Sequence, residues 1–198
     1  MADSNKKIQR KQDRIEEIIK CGKEPSYFIK NYVKIPHPMR GLVPFETFPY
    51  QDDCLEMFQS HRLVITNKSR QLGLSTISAA YALWMSLFYK EKNIIVIATK
   101  LETAKEFIVK VKTMLDSLPP WLVLPKLTGE SVRYLNFSNG SKIKAMSTSK
   151  DAGRSQAASI IIIDECLDAT SKITLRNKLT GEMKEISIVD LFNEEIYE

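Results

Sequence analysis

The run 160-IIIIDECLDATSKI-173 decides how this chain is read, because two kinds of chemistry meet in it across one peptide bond, between Glu165 and Cys166. To the left of that bond, four isoleucines lead into Asp164 and Glu165. A continuous β-branched run predicts a strand buried in a parallel sheet. Two carboxylates at its carboxyl end make a place for a divalent cation and a water. To the right, the chain turns polar and alternating and does not continue that pattern. The expectation is a boundary between two units.

Charge divides at the same place. Residues 1–165 hold 25 of the 29 Lys and Arg and 17 of the 24 Asp and Glu, a net of +8, whereas residues 166–198 carry a net of −3. A basic body suits contact with polyanions, and the tail is a different electrostatic object. With 43% hydrophobic and 27% charged residues the chain has the composition of a globular domain, which argues against disorder as its main state. No apolar run approaches the roughly 18 residues of a membrane span. The N-terminal MADSNKKIQRK lacks an apolar signal core, so a cytosolic protein without membrane contact is expected. Three scattered cysteines (Cys21, Cys54, Cys166) and two histidines indicate neither a disulfide framework nor a zinc site.

Upstream of the acidic strand, residues 63–66 (LVIT) read as a short strand leading into 67-NKSRQLGLST-76 and then into an apolar helix over residues 77–89. Strand, glycine-containing loop and helix opening on Ser75-Thr76 is the arrangement in which backbone amides at a helix N-terminus bind phosphate. The loop departs from GxxxxGK[ST], with Lys68 at the first glycine and Leu74 at the lysine, leaving Arg70 or Lys68 as substitute cations. A plain strand-to-helix turn capped by Ser75 or Thr76 stays open on this segment alone. Around it the periodicity predicts an amphipathic helix over residues 4–20 with Ile8, Ile15, Ile18 and Ile19 on one face, either packed on its own domain or docking a partner. A proline- and aromatic-rich irregular cover should follow over 24–49, then a helix over 50–61. Beyond the loop come a strand over 93–99, a helix over 102–118 and a hairpin of 132–137 with 142–146 across Asn139-Gly140. This order gives an α/β domain with a largely parallel sheet whose ligands gather at the carboxyl ends of its strands.

Taken together, the segments FPYQDD, SRQLGLST and IIIIDEC resemble the ATPase part of the large terminase subunit of tailed bacteriophages, a P-loop NTPase that packages DNA. The resemblance covers about residues 26–166. It implies ATP and Mg²⁺ as cofactors, with Lys68, Ser69, Arg70, Gln71, Gly73, Ser75 and Thr76 forming the phosphate (Walker A) loop and Gln51 reading the adenine. It implies Ser75 and Asp164 (Walker B) at the metal and Glu165 as the base that activates water, with Gly153-Arg154 matching a Gly/Arg loop of the family. Double-stranded DNA, a small terminase subunit and a portal are the implied partners, in the cytoplasm of a bacterial host. At Leu74, many members have lysine.

The tail, residues 166–198, resembles the N-terminal fragment of a split intein, a small all-β unit: a leading cysteine, a small polar cluster Ala169-Thr170-Ser171, two alternating runs over 173–175 and 186–188 across a turn at 180–182, and a short helical turn over 189–192. That resemblance implies that Cys166 attacks the Glu165 carbonyl, and that a partner fragment carrying the rest of the intein and the remaining terminase half completes trans-splicing. Cys166 as an ordinary terminase residue stays an alternative, as does a stand-alone P-loop module or a truncated terminase with an unrelated β tail. The expected division is 1–25 a leader helix, 26–165 the ATPase segment and 166–198 the intein fragment.

Overall fold

The computed structural model describes residues 2–66, 71–123, 125–147, 157–164, 172–176 and 183–187. It divides into two compact units, residues 1–164 and 165–198.

In the first unit, α1 (Ala2–Lys23) and α2 (Pro25–Tyr32) precede a hairpin of β1 (Lys34–His37) and β2 (Gly41–Pro44). Then come α3 (Pro49–Ser60), α4 (Leu74–Phe88), β3 (Asn93–Ala98) and α5 (Leu101–Ser117). The strands β4 (Leu127–Ser131), β5 (Tyr134–Phe137), β6 (Lys142–Ser147) and β7 (Ile160–Asp164) complete the unit. The sheet order is β4-β5-β6-β3-β7. β6, β3 and β7 run parallel, and β4 and β5 are added to β6 as antiparallel strands. The sheet is therefore mixed, parallel only over its three strands nearest β3, which corrects the largely parallel expectation. A hairpin can extend a parallel sheet by tight turns, whereas another parallel strand would need a crossover. The tight turn is made at Gly140, at φ +82, with Asn139 Nδ2 donating to the carbonyls of Ser86 and Tyr89.

The core lies between this sheet and α4 and α5. β3 is buried along its whole length, α5 packs on β5 and β6, and Leu135, Ile143 and Ala145 on these strands and Phe107, Ile108 and Val111 on α5 are all buried. On the far side of α4, Trp84 Nε1 donates to the Cys21 carbonyl (2.8 Å), and Phe28 meets Phe88 edge to face. These contacts tie α1 and α2 to the body.

Three expectations are corrected. Residues 63–66 form no strand, and Leu63 and Ile65 stand 85% and 65% exposed. β-branched composition suits a strand only where a neighbouring strand is present to pair with it. The segment expected as an irregular cover instead holds α2 and the β1–β2 hairpin, because Pro25 falls in the first turn of the helix, where its missing N–H costs nothing. The isoleucine face of α1 is only partly used: Ile15 and Ile19 are about half exposed, and the helix is held by its C-terminal end through buried Cys21.

In the second unit β8 (Lys172–Arg176) pairs antiparallel with β9 (Met183–Ser187), in register Ile173 to Ile186. The two alternating runs of the tail are thus a strand pair. The turn expected at 180–182 and the helical turn over 189–192 lie outside the described residues. Among the described residues no helix is long and apolar enough to cross a membrane.

Candidate functional site

Gly73 is the N-cap of α4, with φ +69 and ψ +15, in the left-handed region that glycine enters without a Cβ penalty. Gln71, two residues earlier, also has positive φ, +65. Space adds a second constraint at Gly73, since a Cβ there would stand 2.8 Å from Nε2 of Gln51.

Gln51 lies in the first turn of α3, after Pro49 at the helix start, and is 3% exposed. Its Oε1 accepts from the Phe48 amide (3.1 Å), and its Nε2 donates to the Leu72 carbonyl (3.1 Å). The Tyr50 hydroxyl donates to the same carbonyl (3.0 Å). Two donors from the start of α3 therefore hold the loop immediately before α4, each bond contributing about 1 kcal/mol net. With one amide hydrogen and one carbonyl lone pair of Gln51 bound to backbone, only the second of each is left for any other partner. Tyr50 was not singled out in the sequence. The signal was its place between Pro49 and Gln51, and its ring stacks on Phe48 at 5.5 Å with 7° between the planes.

Past the glycine, Leu74 is buried and packs inward, so the residue standing where the phosphate-loop pattern has lysine belongs to the core. Ser75 and Thr76 are half-buried in the first turn, where the Thr76 and Ile77 amides both donate to the Gly73 carbonyl at 3.0 Å. The first amides of a helix have no intrahelical acceptor and carry the positive end of its dipole, which suits an anion. Lys68, Ser69 and Arg70 lie outside the described residues.

Asp164 ends β7 in register with Ala98, the last residue of β3, which in turn pairs with Ser147 at the end of β6. It thus stands on the carboxyl rim of the parallel strands, where ligands of α/β sheets gather. Glu165 and Cys166 lie outside the described residues, as do Gly153 and Arg154. The Ser75 hydroxyl and the Asp164 carboxylate are hard oxygen donors of the kind Mg²⁺ takes. Among the described residues no group of three or more His, Cys, Asp or Glu is placed to hold a metal. The two described cysteines are buried, and burial pushes the Cys21 thiol up to about 12 and raises that of Cys54, which keeps both protonated and unreactive near neutrality.

A family model described as "Terminase large subunit, T4likevirus-type, N-terminal" matches residues 65–183, more than half of the chain. The match begins just before the glycine loop and runs past Cys166 through β8 to Met183. Among solved structures, the chain is similar in fold to the HK97 bacteriophage large terminase, with a TM-score of 0.56 at 14% identity over 75% of this chain. It spans 38% of the length of that protein. The chain belongs to the N-terminal family of terminase large subunits.

Proposed function

We propose that this terminase large-subunit segment is the nucleotide-handling part of a phage DNA-packaging ATPase, delivered as a precursor whose tail is a split-intein fragment. The observation that carries the ATPase reading is the left-handed Gly73 loop opening α4, fastened by Gln51 and Tyr50. In this reading the amides of residues 73–75 hold ATP phosphates, and Arg70 or Lys68 supplies the cation that buried Leu74 cannot. Gln51 and the Phe48–Tyr50 stack border the base. Ser75 and Asp164 would hold Mg²⁺, which lowers the charge on the phosphates, and Glu165 would take the proton of the attacking water. DNA, a small terminase and a portal are the partners of the finished motor, in the cytoplasm of a bacterial host.

Splicing would begin when the Cys166 thiol attacks the Glu165 carbonyl. A C–S bond forms, the C–N bond breaks and the thiol proton ends on the freed amine of Cys166. The division of the chain into units at residues 164 and 165, beside this bond, supports that reading. Residues 62–198 hold no histidine, so the acid that protonates the leaving nitrogen is not a histidine of that stretch. The acidic tail favours a basic partner fragment. A second reading, in which residues 166–183 are ordinary terminase sequence, has the extent of the family match in its favour.

The nucleotide part is tested by ATP binding to the chain by titration calorimetry. Binding that weakens about tenfold or more in Arg70→Ala or Lys68→Ala is the expected result. Unchanged binding in both variants overturns the assignment of the loop cation. No nucleotide binding by a folded wild-type chain overturns the loop as a complete site.

A further inference from the structure

The strand that carries Asp164 is otherwise four isoleucines, Ile160 to Ile163, and identical side chains cannot fix how a strand slides along its neighbour. A shift of one residue turns every side chain to the other face, yet here it puts isoleucine where isoleucine was. The backbone ladder does not choose either, since a slipped strand forms the same ladder. In a hairpin the turn sets the register, but β7 is reached from β6 through residues 148–159, a connection too long to do so. Among the described residues β7 pairs with β3 alone, so that one neighbour has to define its position.

The position matters at the carboxyl end. Ile94 stands beside Ile160, and Ala98 beside Asp164. A slip of one residue would put Ile163 beside Ala98 and turn the Asp164 carboxylate to the opposite face of the sheet.

The first residue of β3 supplies what the isoleucines lack. Asn93 is 9% exposed, and three hydrogen bonds join it to the chain as it enters β7. Its Nδ2 donates to the Ala157 carbonyl (2.7 Å), and its backbone amide donates to the Ser159 hydroxyl (3.1 Å). Its carbonyl accepts from the Ser159 amide (2.7 Å). Two of these bonds depend on side chains that the neighbouring positions do not offer. After a slip of one residue, Ala158 or Ile160 would stand at the place of Ser159, and neither has a hydroxyl. Asparagine is disfavoured in strands, and among the described residues the buried Asn93 Oδ1 has no hydrogen-bond partner, which makes its burial costly. Strand propensity therefore does not account for this residue. The Nδ2 bond to the incoming chain does.

We propose that Asn93 and Ser159 form the register pin of β7. They are positioning residues, which set Asp164 on the carboxyl rim from the opposite end of the strand, through four interchangeable isoleucines. The pin works without nucleotide, and only its use rests on the reading of Asp164 as a magnesium ligand.

The test is NMR of the full chain with labelled isoleucine, alanine and aspartate, recorded without ATP. Wild type should show one amide peak for each isoleucine of β7 and contacts that place Ala98 beside Asp164. Asn93→Ala should raise the slipped register about fivefold or more, seen as a second set of β7 peaks with contacts moved by one residue. Ser159→Ala, a milder change, should do the same in smaller measure. Asn139→Ala removes side-chain bonds of the same kind at the β5–β6 turn. It should lower stability in urea and leave the β7 peaks single. Replacing the half-exposed Ile161 and Ile163 by lysine makes the strand alternate, which should return Asn93→Ala to one set. A single set with Ala98 still beside Asp164 in Asn93→Ala, or in Ser159→Ala should Asn93→Ala not fold, would overturn the proposal. Two sets that persist with both lysines in place would overturn it as well. Magnesium-dependent ATP binding, measured by calorimetry, should fall in Asn93→Ala and hold in Asn139→Ala. A moved register with ATP binding unchanged supports the pin and counts against Asp164 as the metal ligand.

Discussion

β3 and β7 lie side by side, parallel, and are nearly the same peptide, NIIVIA against IIIID, yet they occupy different environments. Every residue of β3 is buried, with β6 on one side and β7 on the other. β7 is buried at no position, and Ile161 and Ile163 are 52% and 54% exposed. Among the described residues it pairs with β3 alone. A β-branched run specifies a strand, and its neighbours decide how much of that strand leaves water. The difference places the strand that carries Asp164 at the margin of the packed body, next to the division between the two units.

The largest effect should come from the interior of this pair. Ile95→Ala, in the fully buried strand, is expected to cost about 2–5 kcal/mol in urea unfolding. The loop fastened to the start of α3 should come next. Gly73→Ala combines a left-handed φ with a Cβ 2.8 Å from Gln51 Nε2 and is expected to cost about 1–3 kcal/mol, measured by the same unfolding. Ile163→Ala should cost no more than about 1.5 kcal/mol, since roughly half of that side chain is already in water. If Ile163→Ala were as damaging as Ile95→Ala, β7 would be covered in solution and the contrast would fail. Hydrogen exchange offers a finer reading, with β7 amides expected to exchange faster than those of β3.

The smallest effect concerns pH and the far side of the packed body. Hydroxyls of Tyr32 and Tyr27 both donate to Glu17 Oε1 at 2.7 Å and hold its carboxyl below the ordinary glutamate value. A lowered folded value adds stability above the unfolded pKa of about 4.3, and that stability is lost as pH falls through the folded value. Tyr32→Phe should therefore flatten the loss of stability below about pH 4 while β7 exchange stays unchanged. An unaltered acid profile would remove Glu17 from the account.

Much of the fold was legible because its elements are local. The apolar run over 77–89 became α4, and Asn139-Gly140 became the β5–β6 turn. β4 was missed because LTGES has almost no β-branched or aromatic residues and is a strand only by pairing with β5. Residues 63–66 had the composition of a strand and, among the described residues, no strand to pair with. At the site, Gly73 and Ser75 were visible as a loop and a helix start. The grip of Tyr50 and Gln51 on the Leu72 carbonyl spans more than twenty residues and is a product of tertiary packing. Leu74 looked like a missing lysine, and its burial makes it a core residue.

The margin at β7 is also where the account places its chemistry, so reactivity there is the sharpest test. Cys21 and Cys54 are buried with raised thiol pKa values, which leaves the proposed nucleophile Cys166 as the thiol expected to alkylate at neutral pH. The most direct measurement is the intact mass of the products when this chain is mixed with a fragment that begins with the complementary intein strands and continues as the remaining terminase half. The account predicts loss of residues 166–198, a new peptide bond at Glu165 and no product from a Cys166→Ala chain. A wild-type chain that keeps its full mass in that mixture, and that thiols never cleave after Glu165, would contradict it.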